Sequence, residues 1–231
     1  MKAVILAGGL GTRLRPLTYI IPKPLLPVGE QSVLEIIINK LRECGFDELI
    51  IATNYKPDMF KNYFGDGSKF NIKITYSIEK KPLGTAGPLR LLKDKLKEPF
   101  LVIYGDILTS LDFRKVREFH IKNNADFTLV TKEMTFPISY GVIKSEGNLI
   151  KSVEEKPEIT THINTGIFFI DPGVIDDIPN GFFHMTDLAK KLIEQKKRVM
   201  KYELEDYWLD IGQMHDYEKA QEDVEKGTFK L

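Results

Sequence analysis

The start of the sequence contains a glycine-rich segment followed by basic residues. An apolar run at residues 3–7 is too short for anything but a buried strand, and glycines come directly after it. Because glycine lacks a Cβ atom, its backbone can adopt positive φ and approach a ligand, and successive N–H groups in such a loop form an anion-binding concavity. The segment therefore predicts a phosphate site built from Gly8, Gly9 and Gly11, with Arg13, Arg15 and Lys23 supplying positive charge.

Two other kinds of glycine-rich loop fit this segment less well. A Walker P-loop requires a lysine after its last glycine, and no lysine stands at that spacing. A dinucleotide-binding fingerprint requires a third glycine that packs helix on strand, and Gly9-x-Gly11 is followed by Thr-Arg-Leu instead. A plain strand-to-helix turn would explain the glycines but not Arg13 and Lys23 beside them. The phosphate site is therefore the favoured interpretation.

An acidic residue ends a central strand of the predicted fold. The apolar run at residues 100–104 is followed by Gly105 and Asp106. A carboxylate at the carboxyl end of such a strand, beside a phosphate loop, suits Mg²⁺, a hard cation that binds carboxylate and phosphate oxygens. Asp106 is therefore a candidate metal ligand, whereas Asp112 better fits the N-terminal cap of the next helix.

A second glycine-containing loop lies between residues 79 and 89. Gly84 and Gly87 are predicted to frame backbone donors and acceptors at a helix N-terminus, suited to a purine edge or a phosphate. The Glu79 carboxylate could accept hydrogen bonds from both N1–H and N2–H₂ of guanine, whereas uracil offers only one such donor. The alternative is a surface ion pair of Glu79 with Lys80 or Lys81.

The second half of the chain carries polar residues at the ends of predicted strands. Tyr140-Gly141-Val142 places a glycine where a substrate could lie against the backbone, Val153-Glu-Glu-Lys-Pro157 ends one strand and Ile163-Asn-Thr-Gly166 opens the next. A sugar phosphate needs a carboxylate and an amide for its hydroxyls and a lysine for its phosphate. Taken alone, Glu-Glu-Lys is most often a solvated strand end.

These residues depend on a framework in which strands and helices alternate. Strand-then-helix order predicts a parallel, right-handed doubly wound sheet with ligands at the carboxyl ends of its strands, and short turns in the second half predict antiparallel pairing. We predict a capping box from Ser32 and Glu35. The predicted helices are 32–44, 55–64, a segment after 84 that continues through Leu92 and Leu96, one after 112, 186–193 and one from 214. In the second of these Met59, Phe60 and Tyr63 are predicted to face inward, and Thr186 is predicted to cap the fifth. The predicted strands are 49–53, 72–78, 100–104, 127–131, 141–144, 149–155, 163–170 and 198–204.

The composition excludes several functional classes. The 231 residues are 42% hydrophobic, with 33 basic and 33 acidic residues and a formal net charge of +0, so no overall field attracts nucleic acid or an anionic membrane. The single cysteine, Cys44, cannot form an internal disulfide, which favours a reducing compartment. No apolar stretch approaches a membrane span, and the N-terminal apolar run is too short for a signal peptide. We therefore expect a cytoplasmic protein.

The motifs together identify a family resemblance. L-A-G-G-x-G-T-R-L-x-P-L-T followed by P-K-P-L-L-P-V, then E-x-x-P-L-G-T-A-G-P-L, G-D and W-x-D-I-G, occur in order along residues 1–227. The sequence resembles the sugar-1-phosphate nucleotidylyltransferases, most closely their mannose-1-phosphate guanylyltransferase branch. The resemblance covers the catalytic region, without the left-handed β-helix that follows it in longer members. It departs from the family after Asp106, where Ile107 stands in place of a second short acidic or amide residue.

The resemblance implies a fold, a reaction and a set of site residues. The implied fold is α/β, a Rossmann-like doubly wound, mostly parallel sheet of the nucleotide-diphospho-sugar transferase type with an antiparallel sugar-binding part. It implies one catalytic domain over 1–231, with a nucleotide half at about 1–110, a sugar half at about 111–212 and a C-terminal helix at about 213–227. The catalytic residues would be Arg13, Lys23, Asp106 and Asp210, the last two binding Mg²⁺. The nucleotide would contact Leu6, Ala7, Gly8, Gly9, Gly11, Thr12, Arg13, Lys23, Glu79, Pro82, Gly84 and Thr85. The sugar phosphate would contact Gly141, Glu155, Lys156, Asn164 and Thr165.

The implied substrates are an NTP, with GTP favoured, and a hexose or heptose 1-phosphate. Mannose, glucosamine, heptose and glucose 1-phosphates all stay open, as do UTP, CTP and dTTP. A homodimer is compatible with the resemblance, and neither nucleic acid nor membrane is an expected partner. Two alternatives are a non-catalytic nucleotide-sugar sensor and a Rossmann oxidoreductase, although the latter lacks an acidic residue after its second strand, where Asn54 stands.

Overall fold

The computed structural model describes all 231 residues as an α/β structure. The helices are α1 Leu17–Ile20, α2 Val33–Glu43, α3 Pro57–Phe64, α4 Gly87–Arg90, α5 Phe113–Lys122, α6 Met185–Glu194 and α7 Met214–Glu225. The strands are β1 Lys2–Leu6, β2 Pro27–Val28, β3 Gln31–Ser32, β4 Glu48–Thr53, β5 Lys73–Ile78, β6 Phe100–Tyr104, β7 Ile107–Thr109, β8 Phe127–Pro137, β9 Val142–Glu146, β10 Leu149–Glu154, β11 Glu158–Ile170, β12 Val199–Glu203 and β13 Trp208–Asp210.

Seven strands form the central sheet in the order β12-β8-β11-β6-β1-β4-β5. The half built from β6, β1, β4 and β5 is parallel throughout. In the other half β11 runs antiparallel to both β6 and β8, while β12 is parallel to β8. The predicted α/β fold with a mostly parallel sheet is therefore confirmed, as is the antiparallel pairing in the second half of the chain.

The apolar strands are buried because both faces of the sheet are covered. Ala3, Val4 and Ile5 in the central strand β1 are fully buried, and their side chains alternate between two separate hydrophobic clusters. Such continuous apolar runs are typical of parallel strands with cover on both faces. The sheet therefore holds the carboxyl ends of β1, β4 and β6 in a fixed arrangement.

Helix α2 begins as predicted, but only half of its capping box is present. The Ser32 hydroxyl accepts a hydrogen bond from the Glu35 N–H at 3.2 Å. The Glu35 carboxylate instead accepts from the Tyr63 hydroxyl at 2.8 Å. This contact explains why Tyr63 is exposed rather than inward as predicted, while Phe60 and Phe64 carry the buried face of α3.

Two other helix predictions were wrong. Helix α4 has only four residues, and the chain beyond it continues in turns closed by bonds such as Leu92 N–H to the Leu89 carbonyl, although Leu92 and Leu96 are buried as predicted. Helix α6 begins at Met185 and its N-cap is His184, so Thr186 lies inside the helix.

Residues 133–162 form an arm that extends from the sheet. The distal parts of β8 and β11 pair only with each other, and β9 and β10 form a separate two-stranded hairpin. Most side chains of the arm are exposed on both faces. The C-terminal helix α7 contacts the N-terminal half of the chain, where the Tyr217 hydroxyl and the Gln221 amide both donate to the Pro27 carbonyl.

None of the helices is both long and apolar enough to cross a membrane.

Asp112 caps α5, as the sequence predicted. Its Oδ1 atom accepts from the Arg114 N–H at 3.0 Å, and both carboxylate oxygens accept from the Arg114 guanidinium. Hydrogen bonds from Arg114 lower the pKa of Asp112 from 3.8 to about 2, against the opposing effect of partial burial.

We expect Asp112→Ala to lower the free energy of unfolding at pH 7 by about 1 kcal/mol, because an N-cap is lost. Asp112→Asn keeps a capping oxygen but loses the charge. Because the folded-state pKa is depressed, the contribution of that charge is complete above pH 3.8 and is lost as the pH falls towards 2. Urea denaturation should therefore show a difference between wild type and Asp112→Asn that shrinks from pH 5 to pH 2, with the fully exposed Asp94→Asn as control. A difference independent of pH would contradict this account.

Candidate active site

Two adjoining clefts lie at the carboxyl ends of β1, β4 and β6, where ligands bind in open parallel sheets. The first, called here the Glu79 cleft, has a volume of about 280 Å³. It is lined by Leu6, Gly8, Gly9, Ala52, Asn54, Glu79, Pro82, Leu83, Gly84, Thr85, Pro88, Tyr104, Asp106, Phe182 and His184.

The second, called here the Arg13 cleft, has a volume of about 220 Å³ and shares Leu6, Gly9 and Asp106 with the first. Every residue predicted to contact the nucleotide lines one cleft or the other. The Arg13 cleft is lined by Leu6, Ala7, Gly9, Gly11, Thr12, Arg13, Lys23, Pro24, Gly105, Asp106 and Gly212.

In the glycine-rich loop, only Gly11 lies in the left-handed region. Gly11 has φ +60°, and a Cβ atom there would lie 2.8 Å from Thr18 Cγ2. The Thr18 hydroxyl donates to the Gly11 carbonyl at 2.7 Å, which fixes this turn. Gly8 and Gly9 have no positive φ, and a Cβ on Gly9 would meet nothing within 4 Å. The missing side chain of Gly9 therefore leaves open space in both clefts.

The predicted cations take three different positions. Arg13 is exposed in its cleft, with Nη2 3.4 Å from where a Cβ atom of Gly212 would stand. Lys23 forms an ion pair with Asp106. Arg15 lines neither cleft, because its guanidinium lies over the Tyr19 ring, 4.7 Å from the centroid. The expectation that Arg15 supplies charge to the loop was therefore wrong.

Asp106 and Asp210 come together through strand pairing across the chain. Strand β13 runs antiparallel to β7, with Asp210 opposite Ile107, and the Ile211 N–H donates to the Asp106 carbonyl at 3.0 Å. One oxygen of each carboxylate, Oδ1, is buried without any hydrogen-bond partner. Burial and then the nearby Asp106 carboxylate raise the pKa of Asp210 to about 6, while Lys23 lowers it.

This carboxylate pair fits a divalent cation. Two buried, unpartnered anionic oxygens close together are unfavourable unless a positive charge lies between them. Lys23 compensates only part of this charge, since it contacts Asp106 Oδ2 and leaves both Oδ1 atoms free. Carboxylate oxygens are ligands of the kind that Mg²⁺ binds. Asp106 and Asp210 are therefore the residues that would hold a metal.

Glu79 is buried in the first cleft and makes no ion pair. Its side chain is 7% exposed, and its Oε2 atom accepts from the Leu83 N–H at 3.1 Å. Desolvation raises the pKa of the carboxyl group, and the bond from Leu83 opposes this rise. Lys80 and Lys81 are exposed while Glu79 is buried without an ion pair, so the alternative of a surface ion pair was wrong.

Gly84 and Gly87 make room for protein backbone rather than forming a free donor loop. Gly84 has φ +77°, and a Cβ atom on it would lie 2.5 Å from the Phe183 carbonyl oxygen. A Cβ on Gly87 would lie 2.5 Å from the Gly181 carbonyl oxygen. The N–H groups of Ala86 and Gly87 both donate to Phe183, so they are not available to a ligand. Ala86 and Gly87 therefore offer no free N–H group to a ligand, whereas Gly84 lines the Glu79 cleft and its contact with the nucleotide stays a prediction.

Thr85 and Pro82 lie on the same wall of the Glu79 cleft. The Thr85 hydroxyl accepts from the Met185 N–H at 2.8 Å and so satisfies a free donor at the start of α6. This contact joins the loop after β5 to the segment before α6.

The predicted sugar-phosphate residues line neither cleft. Gly141, Glu155 and Lys156 are exposed in the arm, where the β9–β10 hairpin joins the outer end of the β8–β11 ladder, and a Cβ on Gly141 would lie 3.1 Å from Glu155 Oε2. On β11, Asn164 Oδ1 accepts from the Gly166 N–H, which leaves its NH₂ group free. The Thr165 hydroxyl is buried and donates to the Val130 carbonyl at 2.7 Å, so this hydroxyl is not free for a sugar.

Several lining residues were not predicted from the sequence. Asn54 follows β4 and Tyr104 ends β6, so both stand at carboxyl ends of parallel strands, and this position was the available signal. Phe182 and His184 come from about a hundred residues away, and their rings meet edge to face at 4.8 Å. No local pattern marked them, because they reach the cleft only through the contacts of Gly84 and Thr85.

Known proteins share this arrangement over nearly the whole chain. Residues 2–227 match the family described as Nucleotidyl transferase. A mannose-1-phosphate guanyltransferase from Yarrowia lipolytica is 37% identical over 94% of this chain and 62% of its own length. A UTP–glucose-1-phosphate uridylyltransferase from Synechocystis is 35% identical over 95% of this chain and 62% of its own length.

Solved structures agree with these relatives. HddC from Yersinia pseudotuberculosis has a TM-score of 0.77 and 29% identity, with 96% of this chain and 98% of that chain covered. A second structure of HddC is a complex with GMP-PN. The present chain spans about 62% of the length of the two named relatives. With a family match from residue 2 to residue 227 and the motif residues gathered at one edge of the sheet, the chain belongs to the nucleotidyl transferase family.

Proposed function

We propose that the protein is a Mg²⁺-dependent sugar-1-phosphate nucleotidylyltransferase. It would form an NDP-sugar and pyrophosphate from an NTP and a hexose or heptose 1-phosphate, with GTP and mannose 1-phosphate or a related sugar favoured. The observation that carries this proposal is the pair of buried, unpartnered carboxylate oxygens of Asp106 and Asp210 beside the glycine-rich loop and its cations. A protein that only sensed nucleotide sugars would have no need of this charge pair.

The reaction requires alignment and charge neutralisation more than covalent chemistry by the protein. A phosphate oxygen of the sugar 1-phosphate attacks the α-phosphorus of the NTP in line. As this O–P bond forms, the bond from the α-phosphorus to the bridging oxygen breaks, and pyrophosphate leaves with the electron pair. The attacking oxygen is already ionised at neutral pH, so neither a protein nucleophile nor a general base is assigned.

The residues of the Arg13 cleft would hold the triphosphate. Arg13 and the amides of residues 8–11 would stabilise the departing pyrophosphate. Lys23 would neutralise phosphate charge from the nucleotide side and Lys156 from the sugar side. Mg²⁺ held by Asp106 and Asp210 would supply Lewis-acid stabilisation of the phosphate oxygens. Glu155 and Asn164 would bind sugar hydroxyls, with Gly141 leaving space for the ring and Thr165, whose hydroxyl is bound to the Val130 carbonyl, holding β11 beside Asn164.

The relatives support a range of substrates. The guanyltransferase named above and the HddC complex with GMP-PN favour a guanine nucleotide and a mannose-like sugar, and the uridylyltransferase keeps UTP and glucose 1-phosphate open. CTP and dTTP, and glucosamine and heptose 1-phosphates, also remain candidates. The rival of a different class is a sensor that binds a nucleotide sugar without turnover. Cytoplasmic location and a homodimer stay predictions from the sequence.

The decisive assay is pyrophosphate release with Mg²⁺ across GTP, UTP, CTP, dTTP and ATP, each paired with mannose, glucose, glucosamine and heptose 1-phosphates. We expect turnover confined to the GTP row, because Glu79 can accept from both donors of the guanine edge. Turnover with UTP or CTP alone would keep the chemistry and discard the base assignment. Nucleotide binding without turnover in any pair would favour the sensor.

We expect Asp106→Asn and Asp210→Asn each to lower kcat by about 100-fold or more, because each removes a metal-binding charge. Thermal unfolding gives an independent readout. Without Mg²⁺, Asp210→Asn should be at least as stable as wild type, since repulsion between buried carboxylates is relieved. Added Mg²⁺ should stabilise wild type but not Asp210→Asn. Asp187→Asn on α6 is the matched control. Near-normal turnover in both variants would rule out the metal assignment.

Lys156→Ala should weaken binding of the sugar phosphate by about 1.5–3 kcal/mol, the usual range for a hydrogen bond to a charged group. Steady-state kinetics should show a raised KM for the sugar 1-phosphate with little change in the KM for GTP. Lys151→Ala on the neighbouring strand β10 removes an exposed lysine from the same arm and serves as control. A raised KM for GTP alone would place Lys156 in the nucleotide half of the site.

A further inference from the structure

Asn54 is a free carboxamide held at a fixed place in the Glu79 cleft. Its neighbours are fixed on both sides: the Thr53 hydroxyl donates to the Ala7 carbonyl, and the Tyr55 hydroxyl donates to the Thr18 carbonyl. Lys56 continues the connection by donating to the carbonyls of residues 19 and 20. The Asn54 side chain itself makes no hydrogen bond within the protein and lines the cleft. Its amide therefore has no structural partner, and a ligand can use it.

Asn54 and Glu79 face the same point of the cleft from two strands. Asn54 Oδ1 lies 3.4 Å, and Glu79 Oε1 lies 3.5 Å, from the position that a Cβ atom of Gly8 would occupy. Glu79 Oε2 is already bound to the Leu83 N–H, which fixes the carboxylate and directs Oε1 towards Gly8. Both side-chain ends are thus within reach of a planar base that lies over Gly8. Because no hydrogen bond holds the Asn54 amide, rotation about its χ2 angle can place the NH₂ group, instead of Oδ1, at this point.

The two groups have complementary chemistry. A carboxylate only accepts hydrogen bonds, whereas an amide both donates and accepts. A lactam edge, in which a ring carbonyl stands next to a ring N–H, matches the pair, since the carbonyl can accept from the amide NH₂ and the N–H can donate to the carboxylate. An edge with an amino group next to an unprotonated ring nitrogen does not match, because that nitrogen's lone pair would face the carboxylate.

We infer that Asn54 is a base-specificity residue: its NH₂ group donates to the carbonyl of a lactam-type base, O6 in guanine, while Glu79 accepts from the adjacent ring N–H. This inference rests on the proposed function, in that it places an NTP in these clefts. The pair selects guanine, hypoxanthine and uracil over adenine and cytosine. Guanine gains a further bond from its N2–H₂ group to Glu79, and this bond separates it from hypoxanthine.

The discrimination has a physical basis in burial. Glu79 is almost fully buried, so a wrong base would leave a desolvated carboxylate opposite a lone pair with no water to replace the missing donor. Asn54 is only half-buried, so loss of its contact is partly replaced by water. We therefore expect Glu79 to give the larger effect and Asn54 the smaller one.

The test is equilibrium titration of GTP, ITP and ATP into the full chain, without sugar phosphate, so that binding is measured apart from turnover. ITP keeps the lactam edge of GTP but lacks its N2–H₂ group. The variants are Asn54→Ala, Asn54→Asp and Glu79→Gln, and the control is Asn62→Ala, an exposed asparagine on α3. Thermal unfolding of each variant without nucleotide establishes that it is folded.

Wild type should bind GTP more tightly than ITP, and ITP more tightly than ATP. Asn54→Ala should weaken GTP and ITP by the same factor, roughly 3- to 10-fold, and leave their ratio unchanged. Glu79→Gln should reduce the preference for GTP over ITP. Asn54→Asp should bind GTP more weakly than Asn54→Ala, because it places a carboxylate against O6, and should narrow the gap between ATP and GTP.

The inference is overturned if Asn54→Ala leaves GTP and ITP binding unchanged, or weakens ATP by the same factor as GTP. These outcomes are separate from the fate of the proposed function. If GTP binding depends on Asn54 but the protein releases no pyrophosphate, the inference is retained and the proposed enzyme is rejected. If GTP is turned over and Asn54→Ala has no effect, the proposed enzyme is retained and the inference is rejected.

Discussion

The candidate site depends on two carboxylates that come from distant parts of the chain and that the fold brings close together. Asp106 follows β6 and Asp210 ends β13, and the β7–β13 pairing fixes the backbone between them. Each has a buried oxygen without a donor, and only Lys23 contacts the pair directly. Such an arrangement is unfavourable in the protein alone and becomes favourable when a cation and phosphates are present. The position proposed to bind a cation is therefore one that lowers the stability of the protein alone.

Strand β13 also connects the proposed nucleotide and sugar halves of the site. The Trp208 indole N–H donates to the Thr165 carbonyl at 2.9 Å, so the strand that carries Asp210 is bonded to the strand that carries Asn164. Strand β11 in turn pairs with β6, which leads to Asp106. The β7–β13 and β6–β11 ladders and the Trp208 indole bond therefore link both carboxylates and the predicted sugar amide in one network of hydrogen bonds. A shift of β11 would therefore alter the carboxylate pair and the predicted sugar residues together.

The sequence was most informative where local chemistry decides the structure. The apolar run before Gly8 predicted a buried strand, and Asp112 predicted a cap, because both depend on neighbours in the chain. It was misleading where contacts with other segments determine a residue's role. Gly84 and Gly87 are glycines because the backbone of residues 181–183 packs against them, and the Arg15 guanidinium lies over the Tyr19 ring instead of facing the glycine-rich loop. Phe182 and His184 carried no signal, since only the tertiary fold brings them to the cleft.

The two proposed halves of the site differ in how well their residues are held in place before a ligand binds. In the nucleotide half, Thr18, Thr53 and Glu79 each hold the cleft wall through a hydrogen bond to backbone, so little ordering remains when a ligand binds. In the proposed sugar half, Gly141 and Glu155 are exposed where the arm continues into the β9–β10 hairpin, which pairs only with itself. An isolated two-stranded hairpin is marginally stable. Under the proposed function, the free-energy cost of ordering would therefore fall on the sugar side, and the nucleotide side would be the rigid part against which the sugar phosphate is aligned.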